Sequence, residues 1–187
     1  VITKYRIFMA IQINLLLWGC EGWALRKDLL LKLQRCVNRK VRSILNISMT
    51  DVKDNRITLD NLRAMFNDIP RVESLVDARM MKFLGTILRS NVSHPPRQIL
   101  ISFIPKTRPV GRPLKSNKEY LWQALCRMMK NTYVSIDHKG SLRDFYLLAL
   151  DDSWWNKMVA RILDPSIPLP ERPNDGFDYL PRRSRRH

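Results

Sequence analysis

The sequence is poor in the residues from which metal centres and covalent active sites are built. It contains three histidines and three cysteines, and Cys20, Cys36 and Cys126 lie far apart without C-x-x-C spacing. An odd number of scattered cysteines argues against a disulfide framework, and the histidines add no ligand pattern of the kind that zinc requires. We therefore expect no metal site, and buried, reduced thiols in an intracellular protein.

Long apolar runs are also missing. The best candidate, Ile7 to Leu17, is interrupted by Gln12 and Asn14, whereas a membrane-spanning helix needs about 20 mostly apolar residues. No small-x-small cleavage site follows this run, although a signal peptide would require one. We expect neither a membrane span nor a signal peptide.

The run ends in the sequence LLLWGCEGWAL, which the pattern explains as the end of a helix. Leu15 to Leu17 should form the last turn of an apolar helix, and Gly19 and Gly22 should form a bend after it. We expect the two tryptophans, Trp18 and Trp23, to pin this bend to the helix that follows.

Acidic residues are scarce, since 17 Asp and Glu face 33 Lys and Arg, for a net charge of +16. So positive a field attracts polyanions, and nucleic acid is the commonest of them for a basic protein. The alternative is that the charge only keeps the protein soluble. The sequence contains no Ser-His-Asp set, phosphate-binding glycine loop or acid–base pair, so we expect no catalytic residues and no small-molecule substrate.

One pair of carboxylates has to be weighed against that expectation. Ala149-Leu150-Asp151-Asp152 resembles the x-Asp-Asp turn with which polymerases hold two Mg²⁺ ions. That turn needs a strand on each side, whereas a helical pattern follows Asp152. We therefore expect both acids in the first turn of a helix, where negative charge is favourable.

What the sequence does have is helical periodicity almost throughout. Apolar residues recur at three- and four-residue steps, so we predict an all-α fold, an irregular bundle of about six helices. The regions are a helical segment 1–91, a basic Pro/Gly-containing linker 92–117, a second helical segment 118–164 and a Pro-rich basic tail 165–187, expected to be disordered. Predicted helices include Lys27–Ile47, Thr58–Phe66, Val72–Arg89 and Ser153–Leu163; Gln98 to Ile104 fits a strand or a helical turn.

The predicted helix Lys27–Ile47 has two different sides. Its apolar side should contain Leu29, Leu30, Leu33, Cys36, Val37, Val41, Ile44 and Leu45, with Gln34 and Lys40 as interruptions. Four basic residues share a narrow arc of the other side: Lys32, Arg35, Arg39 and Arg42. Such a stripe suits a phosphate backbone; the alternative is an ordinary solvated helix face.

A second basic segment, Lys106 to Lys118, has no acidic residue. Its Gly-Arg-Pro core with flanking cations resembles an AT-hook, which lies extended in the minor groove of A·T-rich DNA. The residues concerned are Arg108, Gly111, Arg112, Pro113 and Lys115. The alternative is a stiff basic linker between two helical units.

Five stretches, taken in order, resemble the C-terminal region of non-LTR (LINE-type) retrotransposon reverse transcriptases. Trp18 to Trp23 is similar to Tyr-Gly-x-Glu-x-Trp, and Arg42 to Ile47 to Arg-x-Ile-Leu-Gly-Ile, with Asn46 in place of Gly. Ala78 to Arg89 is similar to Arg-Arg-Leu-x-Trp-Leu-Gly-His-Val-Leu-Arg, with Phe83 for Trp and Thr86 for His. Gly111 to Pro113 matches the family's Gly-Arg-Pro, and Asp152 to Val159 its Asp-x-x-Trp-x-x-x-Val.

The resemblance implies the thumb and post-thumb region of an RNA-directed DNA polymerase, with residues 1–91 thumb-like. The catalytic palm and its Mg²⁺ would lie upstream of Val1, so this chain would hold template–primer or target DNA without catalysing polymerisation. A nuclear location would follow. The alternative is a stand-alone, non-enzymatic, AT-hook-like DNA-binding protein.

Overall fold

The computed structural model describes residues 1–23, 26–101, 123–128 and 148–170. Every regular element in these ranges is helical, and they contain no β-strand. The predicted all-α class is therefore confirmed.

The N-terminal helix consists of three consecutive helical stretches, Ile2–Ile7, the π-helical Phe8–Ile13, and Asn14–Leu16. The chain then turns at Gly19, whose φ of 68° lies in the left-handed region that favours glycine. A short 3₁₀ helix, Cys20–Gly22, follows. The helix end and the bend thus lie where the sequence predicts them.

The two tryptophans beside this bend have different environments. Trp23 is half-buried and packs against the core cluster. Trp18 is 80% exposed, so the prediction that it pins the bend is wrong. The N-terminal helix buries Phe8, Ile13 and Leu17, and Trp18 lies outside that face.

The basic helix, Lys27–Leu45, buries Leu30, Val37 and Val41. It ends at Asn46, which adopts a left-handed conformation with φ 56° and ψ 37°. The amide of Ile47 donates to the carbonyl of Arg42 at 2.9 Å, the 6→1 bond of a Schellman motif. The predicted helix is therefore correct to within two residues.

Two short helices follow the basic helix. Met49–Asp54 begins at a capping box formed by Ser48 and Asp51; the hydrophobic pattern does not predict it because six residues are too few to show a period. Leu59–Met65 begins after the N-cap residue Thr58, where the sequence predicts a helix, and the Thr58 hydroxyl accepts the Asn61 amide hydrogen. The break after it is made by residues 67–68, both at positive φ.

The central helix, Val72–Arg89, is surrounded by the other helices and buries most of its residues. It packs against the N-terminal region, the basic helix and the C-terminal helix. Phe83 belongs to the apolar pattern of this helix and would be expected in the core, but it is 46% exposed. Arg79, on the same helix, is half-buried, and its guanidinium donates to the Leu17 carbonyl at 3.3 Å.

The remaining described residues complete the helical core. Residues 98–101 lie in the helix Pro95–Ile101. The first half of 98–104, for which the sequence fits a strand or a helical turn, is therefore helical. Residues 123–128 and 148–150 are helical, and the C-terminal helix spans Asp152–Leu163. Trp155 is fully buried, and it belongs to the same apolar cluster as the residues of the central helix.

Candidate nucleic-acid interface

The basic stripe, defined as Lys32, Arg35, Arg39 and Arg42, lies opposite the buried side of the basic helix. At 100° per residue its members fall within an arc of about 80°, and the arc's centre is about 160° from that of the buried residues. The stripe extends over about 15 Å of helix. It therefore presents four cations along one line.

Three members of the stripe, Lys32, Arg35 and Arg39, are exposed. Among the described residues, no carboxylate forms an ion pair with any stripe member. The acids elsewhere that do form pairs bind other cations, such as Arg63 and Arg127. The positive charge of the stripe is thus not neutralised within the described portion of the chain.

The basic helix contains one acidic residue, Asp28, whose carboxylate forms an ion pair with Arg26. Arg26 donates two hydrogen bonds to the Asp28 carboxylate, at 2.6 and 3.0 Å. These bonds hold the pKa of Asp28 below its ordinary value, so the pair is ionised at neutral pH. Asp28 thus pairs with Arg26 and not with Lys32, its i+4 neighbour on the same arc of the helix.

Arg42 differs from the other three members. It is half-buried, and its guanidinium contacts the sulfur of Met49 at the start of the next helix. The contact places Arg42 at the edge of the exposed surface. A ligand along the stripe would meet Lys32, Arg35 and Arg39 first.

One polar residue, Gln34, interrupts the buried side of the basic helix, and it has a hydrogen-bond partner there. The side-chain oxygen of Gln34 accepts the backbone N–H of Val72 at 2.8 Å. Val72 opens the central helix, and the N-cap residue Arg71 makes no side-chain cap. Gln34 thus satisfies one of the free amides of a helix start, and it fixes the basic helix against the core.

Two predictions about this helix are wrong. Cys36 was expected to be buried and is exposed, and Leu29 is also exposed. The buried arc is narrower than the sequence suggests, about 120° wide rather than 180°. Lys40, which was interpreted as interrupting the apolar side, is exposed just outside the buried arc for the same reason.

A further cation lies near the end of the basic helix. The Lys4 ammonium is 3.5 Å from the carbonyl of Ile44, where the partial negative charge of a helix end favours a cation. No local sequence pattern places Lys4 next to the end of the basic helix, because 40 residues separate it from Ile44. The residues of the Gly-Arg-Pro segment, Arg108, Gly111, Arg112, Pro113 and Lys115, lie outside the described residues.

The two adjacent carboxylates, Asp151 and Asp152, lie at the start of the C-terminal helix as predicted. Asp151 is the N-cap and accepts the Trp154 amide hydrogen at 2.9 Å. Asp152 pairs with Arg89 at 2.8 Å. Each carboxylate thus has a structural partner.

Two of the stretches that resemble reverse transcriptases, Ala78 to Arg89 and Asp152 to Val159, pack against each other. A Cβ atom on Gly85 would overlap the indole nitrogen of Trp155 and lie 2.7 Å from its Cδ1, so only glycine allows this approach. The same indole donates to the Met81 carbonyl at 2.9 Å. Arg89 and Asp152 form the ion pair described above, and both belong to the matched positions.

The thiols also have distinct environments. Burial raises the pKa of Cys20 to about 11, with the neighbouring Glu21 adding to the shift and Arg79 opposing it. Cys126 is partly buried, and burial raises its pKa as well. Cys36 alone among the three is exposed.

No protein-family model matches this chain, and neither a curated protein nor a solved structure is significantly similar to it. Within the described ranges, no helix has both the length and the apolar character required to cross a membrane. Nor do the described residues place three His, Cys, Asp or Glu side chains so that they could share a metal ion.

Proposed function

We propose that this chain binds nucleic acid without catalysis, as the thumb and post-thumb region of a non-LTR retrotransposon reverse transcriptase. In that family the region follows the palm of an RNA-directed DNA polymerase, and it would hold a template–primer duplex or target DNA. The observation that carries the proposal is the line of exposed cations at Lys32, Arg35 and Arg39, which have no acidic partner among the described residues.

Two structural details support the family assignment in this proposal. Asn46 stands where the family has Gly, and it adopts the left-handed conformation in which Gly is the most favoured residue and Asn the next. Gly85 and Trp155 occupy two separately matched positions, and they pack in direct contact. Three of the matched positions, 46, 85 and 155, therefore lie where a helix ends or where two helices pack closely.

The stripe should contact phosphates rather than read bases. Long, flexible cations on an exposed helix face bind the backbone of either a DNA duplex or an RNA–DNA hybrid, and they carry no sequence information directly. Each contact releases counterions, so that log K falls with log salt by about 0.9 per contact for B-DNA. A contact is therefore worth about eightfold in affinity at 0.1 M salt.

The test is a salt titration of binding to a 20-base-pair DNA duplex and a matched RNA–DNA hybrid. Lys32→Ala, Arg35→Ala and Arg39→Ala should each weaken binding about eightfold at 0.1 M salt and reduce the slope by about 0.9. Lys157→Ala, an exposed lysine on the C-terminal helix, is the control and should have no effect. No salt-dependent binding by the unaltered chain would refute the proposal.

The stand-alone hook alternative makes a different prediction in the same assay. Arg112→Ala should then weaken A·T-rich duplex binding selectively, because minor-groove insertion depends on groove width and A·T content. An equal loss on all duplexes would assign Arg112 to phosphate contact, and the stripe would remain the main interface.

A further inference from the structure

We infer that Ser43 is a phosphorylation site, whose modification by a basic-directed protein kinase switches off the basic stripe. The inference rests on the proposed function, because it concerns the regulation of the same surface. It comes from the position of one exposed hydroxyl among the cations of the basic helix.

Ser43 is exposed in the last turn of the basic helix, which ends at Leu45. At 100° per residue it lies about 20° from Lys32 and about 40° from Arg39 around the helix axis, at the edge of the stripe. No hydrogen bond from its hydroxyl to any described residue is present, whereas Thr86 and Ser90 donate to carbonyls of their own helix. The hydroxyl is therefore available to solvent.

The residues before Ser43 are basic at three of four positions: Arg39, Lys40 and Arg42. Kinases that select basic substrates recognise cations at these upstream positions through acidic pockets, by charge complementarity. Lys40 is exposed, and Arg42, immediately before Ser43 in sequence, is half-buried. The site thus presents both the acceptor and the charge that such an enzyme requires.

A kinase needs an extended substrate, so the last turn of the helix has to open. Opening breaks the two cap bonds, from the Asn46 amide to the Ser43 carbonyl at 3.3 Å and from the Ile47 amide to Arg42 at 2.9 Å, and the last helical bonds before them. It moves the half-buried Ile44 and Leu45 and also the buried Val41. Local opening at a helix end requires less free energy than global unfolding.

The reaction is phosphoryl transfer from ATP. The bond between the γ-phosphorus and the β–γ bridging oxygen breaks, and a bond forms between that phosphorus and the Oγ of Ser43. The hydroxyl proton passes to the base of the kinase, and ADP leaves.

The new phosphate would carry about −1.5 to −2 charges at pH 7. Arg39 at i−4 and Lys40 at i−3 lie on the adjacent turn, within reach of it. The phosphate would bind these cations within the helix and repel the phosphates of a nucleic acid. The stripe would lose its contact at Arg39, and the repulsion between the added negative charge and the nucleic-acid phosphates would offset about one contact more.

The test uses the full chain carrying phosphoserine at position 43, introduced by genetic encoding. At 0.1 M salt we expect about 60-fold weaker binding to the 20-base-pair duplex, and a salt slope smaller by about 1.8, as two lost contacts require. Phosphatase treatment should restore both values. Ser43→Glu should weaken binding about eightfold, and Ser43→Gln, of the same size without the charge, should not.

Phosphoserine at position 153 is the matched control. Ser153 is exposed in the first turn of the C-terminal helix, away from the stripe, and its phosphate should leave affinity nearly unchanged. Unaltered affinity with phosphoserine at 43, in a protein whose binding is weakened by Arg39→Ala, overturns this inference alone. Binding that is absent or independent of salt in the unmodified chain overturns the proposed function as well.

A second measurement addresses the kinase. The unaltered chain is incubated with ATP and a basic-directed Ser/Thr kinase, and the phosphorylated residues are identified by mass spectrometry. Phosphate on Ser43 supports the site, and exhaustive phosphorylation elsewhere without phosphate on Ser43 overturns it.

Discussion

Gln34 is the residue whose role depends most on a distant partner. Its side chain bridges two helices, since its oxygen accepts the Val72 amide hydrogen and its nitrogen donates to Asn38 at 2.9 Å. Val72 is fully buried, so water cannot replace a lost acceptor for its amide. A polar residue on the inner side of the basic helix is therefore required there.

Gln34→Leu should lower the free energy of unfolding by about 1 to 3 kcal/mol, although it adds an apolar side chain, because a buried donor is left without a partner. Gln34→Glu keeps the acceptor and adds negative charge at a helix start, so it should be close to neutral. Urea unfolding followed by circular dichroism measures both. A Leu variant as stable as the parent would mean that the Val72 amide finds another acceptor.

The three cysteines should differ in their reaction with a thiol reagent. At pH 8, Cys36 should react first because it is exposed, and Cys126 more slowly. Cys20 is fully buried with a pKa of about 11, so it should remain unmodified until denaturant is added. Peptide mapping after brief alkylation distinguishes the three.

The same pKa has a consequence for stability against pH. The thiol of Cys20 ionises near pH 8.5 in the unfolded chain and near 11 in the folded one. The contribution of the protonated Cys20 thiol to the free energy of unfolding is therefore complete below about pH 8.5, and it is lost as the pH rises towards 11. Cys20→Ala should reduce the alkaline loss of stability; an unchanged loss would assign it to other groups.

At the scale of the helices, the contact between Gly85 and Trp155 holds the C-terminal helix against the central helix. The indole donates to the Met81 carbonyl, four residues before Gly85. It lies where any side chain on Gly85 would be. The two helices approach closely only because this position lacks a Cβ atom.

Gly85→Ala should destabilise the fold by about 1 to 3 kcal/mol, even though Ala is favoured over Gly in a helix by about 1 kcal/mol. The clash with Trp155 exceeds that gain. Thr86→Ala, one residue along on the exposed side, is the control and should change stability by less than about 0.5 kcal/mol. Thermal unfolding compares them, and a stabilised Gly85→Ala variant would contradict the close packing.

The helices themselves were largely predictable because their signals are local. Thr58 and Asp151 cap helices through their own side chains, and both caps are recognisable from neighbouring residues. Burial was less predictable, because Phe83 and Cys36 lie at the margins of apolar faces whose true width is set by the packing partner. Hydrophobic periodicity gives the direction of such a face and leaves its edges undetermined.

In the candidate site, too, the local features were predictable and those that depend on distant partners were not. The exposure of Lys32, Arg35 and Arg39 on one arc was predictable, because spacing alone places them opposite the core. The contact of Arg42 with Met49 was not, since it depends on how the chain turns after Asn46. The bond from Gln34 to Val72 joins residues 38 positions apart, which no local pattern indicates.

At the scale of the whole molecule, the net charge of +16 should dominate the response of stability to salt. The ion pairs of the described residues engage acids such as Asp60, Asp77 and Asp152, and most of these pairs are exposed and worth little. The excess cations repel one another, and this repulsion favours the expanded unfolded chain. At 0.1 M, salt screens this repulsion between charges that are more than about 10 Å apart.

Raising sodium chloride from 20 to 500 mM should therefore increase the free energy of unfolding, by on the order of 1 kcal/mol. A chain stabilised mainly by its ion pairs would show the opposite sign. The triple variant Lys32→Gln, Arg35→Gln, Arg39→Gln removes three neighbouring cations, so its stability should depend less on salt than that of the parent. Urea midpoints at the two salt concentrations decide the sign, and a midpoint that falls with salt would show that ion pairs outweigh the repulsion.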